Sequence, residues 1–176
     1  IIMAKPLGFY EKYGLDVDVI KTAGWAVARD KSLNKEYDAS HMLTPMPLAI
    51  TMGDPSGIGP EIIVKALVDR VVDRPVIVLG DPAVLERAVG FTQAGLTCRI
   101  LEDLEQADAA GIGTVMDVLP VVEMPEPPKI GTISAASGKA AYDAVVAAID
   151  LAKAGTIAGM VTAPPYAGAR SAAGIK

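Results

Sequence analysis

Cysteine is almost absent from this chain of 176 residues: Cys98 stands alone, which excludes an intrachain disulfide and a metal site of clustered thiolates. Its place in the apolar run 96–101 predicts a small buried hydrophobe rather than a reactive thiol. Histidine is as scarce, His41 being the single one. A metal site needs several converging His or carboxylate ligands, and the sequence offers no such set. Aromatic residues make up 5% of a chain that is 51% apolar, so the core falls to Val, Ile, Leu, Ala and Met. A basic excess is lacking too. Sixteen Lys and Arg against 21 Asp and Glu leave a net charge of -5, with no electrostatic footprint for nucleic acid or an anionic membrane. Long hydrophobic runs are missing: the stretch 140–152 is broken by Asp143 and Asp150, far from the roughly 20 apolar residues of a membrane span. The opening Ile1-Ile2-Met3-Ala4-Lys5 has neither the charged nor the long apolar region of a signal peptide. A cytoplasmic location is therefore expected.

What is present alternates between short apolar runs and helical patterns. Residues 6–13 read as a helix closed by Gly14, 15–20 as a strand with Val17 and Val19 on one face, 25–34 as a helix and 39–43 as a strand. Residues 48–52 form a short apolar run bounded by turn residues, the mark of a buried parallel strand. Further strands are predicted at 76–79, 96–101 and 158–162, with helices from Ile62, over 83–90 behind Asp81-Pro82, and over 139–154 between Ser137-Gly138 and Gly155. The Pro-rich stretch 121–133 is excluded from a sheet centre and is expected at an edge or in a crossover. The fold class that follows is α/β: one domain over 1–176, three layers, a parallel or mixed sheet with helices on both faces.

One segment carries chemistry. The strand 48–52 runs into Gly53-Asp54-Pro55-Ser56-Gly57-Ile58-Gly59-Pro60-Glu61 and then into a helix. A helix N-terminus behind a glycine-rich turn offers N–H groups to an anion, but Pro60 removes one donor. The spacing matches neither the Walker pattern nor the dinucleotide fingerprint, because position 62 is Ile. From the residues alone, a tight structural turn and a ligand loop both remain open.

The string from Pro47 to Ile62 resembles the opening of the 4-hydroxythreonine-4-phosphate dehydrogenase family. So do Gly80-Asp81-Pro82-Ala83-Val84-Leu85, Ser134 to Ala141, and Val161-Thr162-Ala163-Pro164, in the same order and spacing over about 47–176. The resemblance implies an NAD-dependent, divalent-metal-dependent oxidation of a phosphorylated hydroxy-amino acid by a homodimer; some relatives act on aromatic cis-dihydrodiols or sugar-acid phosphates. It carries Asp54, Gly57, Gly59, Glu61 and Lys139 over as substrate-binding candidates. For Lys139 a solvated helix-start lysine is the plain alternative. Where the family places a metal-ligating His or its Asn variant followed by Lys, this chain has Tyr166 and Ala167, and the dinucleotide-binding half would follow Lys176.

The first fifty residues carry a different likeness. Gly8-Phe9-Tyr10-Glu11-Lys12-Tyr13-Gly14-Leu15, Gly24 to Asp30, and Asp38 to Ala49 resemble nitrate- or sulfonate-type periplasmic substrate-binding proteins of ABC importers. The likeness places Trp25 near a ligand cleft, although an aromatic core residue explains it as well; His41 reads as a packed or capped histidine. Because the two likenesses overlap at 47–53, the sequence reads as a chimera stitched at a shared strand. The expectation is a chain without native catalysis and without a cofactor of its own, self-associating as a homodimer or higher oligomer, and open to phosphate or another small anion. The alternatives are an NAD- and metal-dependent dehydrogenase of phosphorylated hydroxy-amino acids or dihydrodiols, and a small phosphate-binding module.

Overall fold

A computed structural model describes residues 8–20, 31, 36, 46–72, 74–107, 113–165 and 167–175. The chain divides into two compact units, Ile1–Leu43 and Thr44–Lys176. In the first, helix α1 spans Phe9–Lys12. It ends as its sequence predicts. Gly14 takes φ 71°, its N–H reaches Glu11 O and the Leu15 N–H reaches Tyr10 O, so the orphan carbonyls of the last turn are met by a left-handed glycine. The strand predicted over 15–20 does not form. Leu15 and Ile20 are 55% and 63% exposed, and an alternating pattern without a burying neighbour is not enough to make a strand. The helix predicted at 25–34 (apart from Lys31), the strand at 39–43, Trp25, His41 and Tyr166 lie outside the described residues.

The second unit contains β1 (Leu48–Thr51), α2 (Gly59–Val68), β2 (Val76–Gly80), α3 (Pro82–Thr92), β3 (Thr97–Ile100), a 3-10 turn (Leu104–Gln106), β4 (Val115–Pro120), α4 (Ala135–Lys153), β5 (Gly159–Thr162) and α5 (Ala167–Ala172). The five strands form one sheet in the order β3-β4-β2-β1-β5, and each pairing is parallel. Both faces are covered. On one, Val78, Met116 and Val118 meet Ile63 and Val64 of α2 and Val84, Leu85 and Ala88 of α3. On the other, Ala49, Ile77 and Leu79 meet Ala148 of α4, with Leu101 and Ala107. This is the aliphatic, two-sided packing that a chain poor in aromatics requires. The three-layer α/β expectation holds, and the sheet is parallel.

Three expectations need correction. The neighbours of β1 are β2 and β5, both later in the chain, so β1 does not stitch strands of two origins together. The sequence reading passed over β4, which lies between β2 and β3 and carries Asp117 in its middle. That carboxylate is tolerated because Arg99, its register partner on β3, binds it with two bonds, Nε to Oδ1 at 2.6 Å and Nη2 to Oδ2 at 2.8 Å. Finally, α4 begins a turn before the predicted Lys139, because Ser134 caps it with its hydroxyl on the Ser137 N–H at 3.0 Å. Among the described residues no helix is long and apolar enough to cross a membrane.

Candidate functional site

A parallel sheet sends all its carboxyl ends to one edge, and ligands of open α/β sheets bind in the crevice there. The turn after β1 lies at that edge. Gly53 has φ 73°, and a Cβ on it would approach the carbonyl oxygens of Ala163 and Pro164 at 2.9 Å. Glycine is therefore required for the loops after β1 and β5 to touch. Gly59 is required for a different reason: a Cβ there would collide with the Met52 carbonyl oxygen. The glycine at 59 thus lets α2 start against the end of β1, a packing role, whereas Gly57 is exposed.

Asp54 is 3% exposed. Its Oδ1 accepts the Ser56 N–H at 2.8 Å and its carbonyl accepts the Gly57 N–H at 3.0 Å, so the carboxylate folds the turn on itself. The turn is then fastened to the loop 121–134 and to α4. The Ser56 carbonyl accepts the Gly131 N–H at 2.7 Å. The Ser56 hydroxyl lies within hydrogen-bond distance of Ser137 Oγ, which also accepts from Ser134 Oγ at 2.8 Å. From below, Arg87 of α3 donates from Nη2 to Pro55 O at 2.9 Å and from Nη1 to Pro128 O at 2.5 Å. Asp81 caps α3 by accepting the Val84 N–H at 3.0 Å, and its second oxygen holds the Met124 N–H at 2.7 Å.

Above this framework lies a cleft of ≈ 260 Å³ lined by Asp54, Gly138, Ala141, Tyr142, Val145, Thr162, Pro165 and Ala169. Of the candidates read from the sequence, Asp54 alone lines it. Gly57 and Gly59 belong to the turn beside it. Glu61 and Lys139 form surface pairs one helical turn along their own helices, with Lys65 at 2.5 Å and Asp143 at 2.5 Å. The sequence reading missed Ser56, Ser137, Arg87 and Thr162. Ser56, Ser137 and Thr162 lie in the strings that carry the dehydrogenase resemblance, and the Ser134-x-x-Ser137 spacing is a capping pattern; Arg87 had no signal, since its partners are backbone carbonyls far along the chain. Cys98 is half-buried rather than fully buried as expected; burial first, and the nearby Glu86 charge second, push its thiol up from 9.0 to about 11, which keeps it protonated.

Among the described residues no group of three or more His, Cys, Asp or Glu is placed to hold a metal ion. These residues do not fit the divalent metal that the dehydrogenase likeness implies. The cleft is also smaller than the roughly 300–1,000 Å³ usual for drug-sized ligands, so it does not fit a whole dinucleotide. It suits one end of a small substrate.

Comparison with known proteins now bears on both halves of the sequence. The family described as NMT1-like matches residues 1–174. A 4-hydroxythreonine-4-phosphate dehydrogenase of Beijerinckia indica is 48% identical over 129 residues, which cover 73% of this chain and 38% of that protein. A D-threonate 4-phosphate dehydrogenase of Salmonella typhimurium is 43% identical over 121 residues, covering 66% and 36%. The crystal structure of a 4-hydroxythreonine-4-phosphate dehydrogenase from Burkholderia phymatum superposes with a TM-score of 0.68 at 33% identity, over 77% of this chain and 41% of that one. The chain thus spans less than two fifths of the length of these two curated relatives. Identity at this level overturns the expectation of a chain without native catalysis. The dehydrogenase alternative fits better.

Proposed function

The chain belongs to the NMT1-like family, and we propose that its residues 44–176 form the substrate side of a dehydrogenase that oxidises a phosphorylated hydroxy acid. The observation that carries this reading is 48% identity to a 4-hydroxythreonine-4-phosphate dehydrogenase over 129 residues, 73% of this chain. It is supported by the built crevice of residues 44–176: the locked turn, the serine-fastened α4 and the cleft beside them.

The residues that line the cleft support the following roles. Asp54 shapes the turn and presents its carboxylate to the cleft, Thr162 offers a hydroxyl for a substrate oxygen, and Ala141, Val145 and Ala169 exclude water from the carbon skeleton. NAD is the acceptor that the likeness implies. The cleft holds the substrate end alone, and neither the acceptor nor a metal enters these roles. Self-association belongs to the same proposal: Val161 on the edge strand β5 is 53% exposed and Tyr142 beside the cleft 48%, an apolar border that a second copy would cover. Light scattering tests that part, and a strict monomer at high concentration removes it.

The test of the activity is formation of NADH, followed by absorbance, from 4-phosphohydroxy-L-threonine and from D-threonate 4-phosphate, each with and without added divalent metal. Turnover with either substrate supports the reading. Absence of turnover with both, from folded protein, defeats it.

A further inference from the structure

We propose that Arg87 is a positioning residue, which sets the distance between the turn 53–57 and the loop that leads into α4; this rests on residues 44–176 being the substrate side of a dehydrogenase. Arg87 lies on α3 and lines no part of the cleft, yet its guanidinium bridges the carbonyls of Pro55 and Pro128. One of these belongs to the loop after β1 and the other to the loop after β4. The same two loops meet again where the Gly131 N–H binds Ser56 O, and the turn is tied to the first turn of α4 through the Ser56 and Ser137 hydroxyls. Arg87 therefore closes a ring of contacts that runs from α3 through the turn to the start of α4, where Gly138 and Ala141 line the cleft.

The chemistry of the side chain supports this assignment. Among the described residues none of the ion pairs includes Arg87, and its Nε is buried without a hydrogen-bond partner. A charge so poorly compensated is costly to hold away from water. Stability alone is better served by a neutral side chain there. What the guanidinium supplies is a rigid planar fork that holds two acceptors at one spacing, which an ammonium cannot do. Both acceptors are backbone groups of loops that frame the crevice, so the fork transmits to the substrate contacts.

The test compares Arg87→Lys and Arg87→Ala with the unaltered chain by amide hydrogen exchange and by NADH kinetics. Exchange at Gly131 is expected to rise about tenfold or more in both variants, while the β2 amides of Ile77 and Leu79 keep their protection. KM for the phosphorylated substrate is expected to rise about tenfold with kcat changed far less, the mark of lost ground-state positioning. Added methylguanidinium is expected to restore Arg87→Ala in part. Unchanged exchange at Gly131 in a folded variant overturns the proposal, as does a rise shared equally by β2, which signals global destabilisation. If the unaltered chain makes no NADH, the dehydrogenase reading fails, and the site-selective exchange result alone decides the clamp.

Discussion

The Ser56 hydroxyl oxygen lies 2.7 Å from that of Ser137, joining the turn after β1 to the first turn of α4 across 81 positions of sequence. Ser137 is fully buried and Ser56 2% exposed. Replacing Ser137 by Ala strands a buried hydroxyl and is expected to cost about 1–3 kcal/mol in denaturant unfolding. The double variant Ser56→Ala/Ser137→Ala is expected to cost less than the two single losses summed, since it removes both ends of one bond. Strict additivity would show that the hydroxyls do not interact.

Two glycines in neighbouring helices are predicted to respond in opposite directions. Gly59→Ala drives a methyl into the Met52 carbonyl and is expected to destabilise by about 1–3 kcal/mol. Gly90 lies inside α3, and a methyl added to it would meet nothing within 4 Å. Its change to Ala is expected to gain about 0.5–1 kcal/mol. Thermal melts of the two variants check the signs.

Asp81 uses its two oxygens for separate tasks, and two substitutions part them. Asp81→Asn keeps an acceptor for Val84 N–H but turns an amide towards the Met124 N–H. It should leave α3 intact and speed exchange at Met124, at a cost of about 1–3 kcal/mol. Asp81→Ala loses the cap as well, a further ~1 kcal/mol. Equal effects of the two substitutions would show that one of the two bonds is idle.

The raised Cys98 thiol predicts slow chemistry and a pH signature. At pH 8 it should react with a disulfide reagent about tenfold or more slowly than an unshifted thiol. The sign for stability follows from the same shift. With an ordinary value of 9.0 in the unfolded chain and about 11 in the folded one, the contribution is whole below pH 9 and is lost as pH rises through 11. Cys98→Ala should flatten that alkaline decline; an unchanged slope would assign it to other groups.

Much of the sheet was legible because local pattern and tertiary role agree there. β1, β2, β3 and β5 are short apolar runs bounded by turn residues, and all lie within a residue or two of their predicted places. The ends of α1 and α4 were legible because glycine takes the left-handed C′ conformation without steric cost. β4 was hidden. Asp117 interrupts its apolar run, and the residue that makes this acceptable, Arg99, stands 18 positions earlier on another strand. The strand read at 15–20 failed the other way: its alternation is real, but pairing is a non-local property. In the site, Asp54 was legible from its motif. Arg87 was not, since a side chain that binds main-chain oxygens leaves no pattern in the partner's residue type.

Met52 is enclosed on two sides by missing side chains. A methyl at Gly59 would strike its carbonyl, and one at Gly80 would lie 2.6 Å from its Cβ. Positions 52 and 80 are therefore coupled through side-chain atoms, while Gly59 is fixed by the main chain of residue 52 whatever its side chain. Enlarging residue 80 alone is blocked by Met52 Cβ, whereas Met52→Gly together with Gly80→Ala removes the blocking atoms. Repacking the core behind the turn has to begin with that pair.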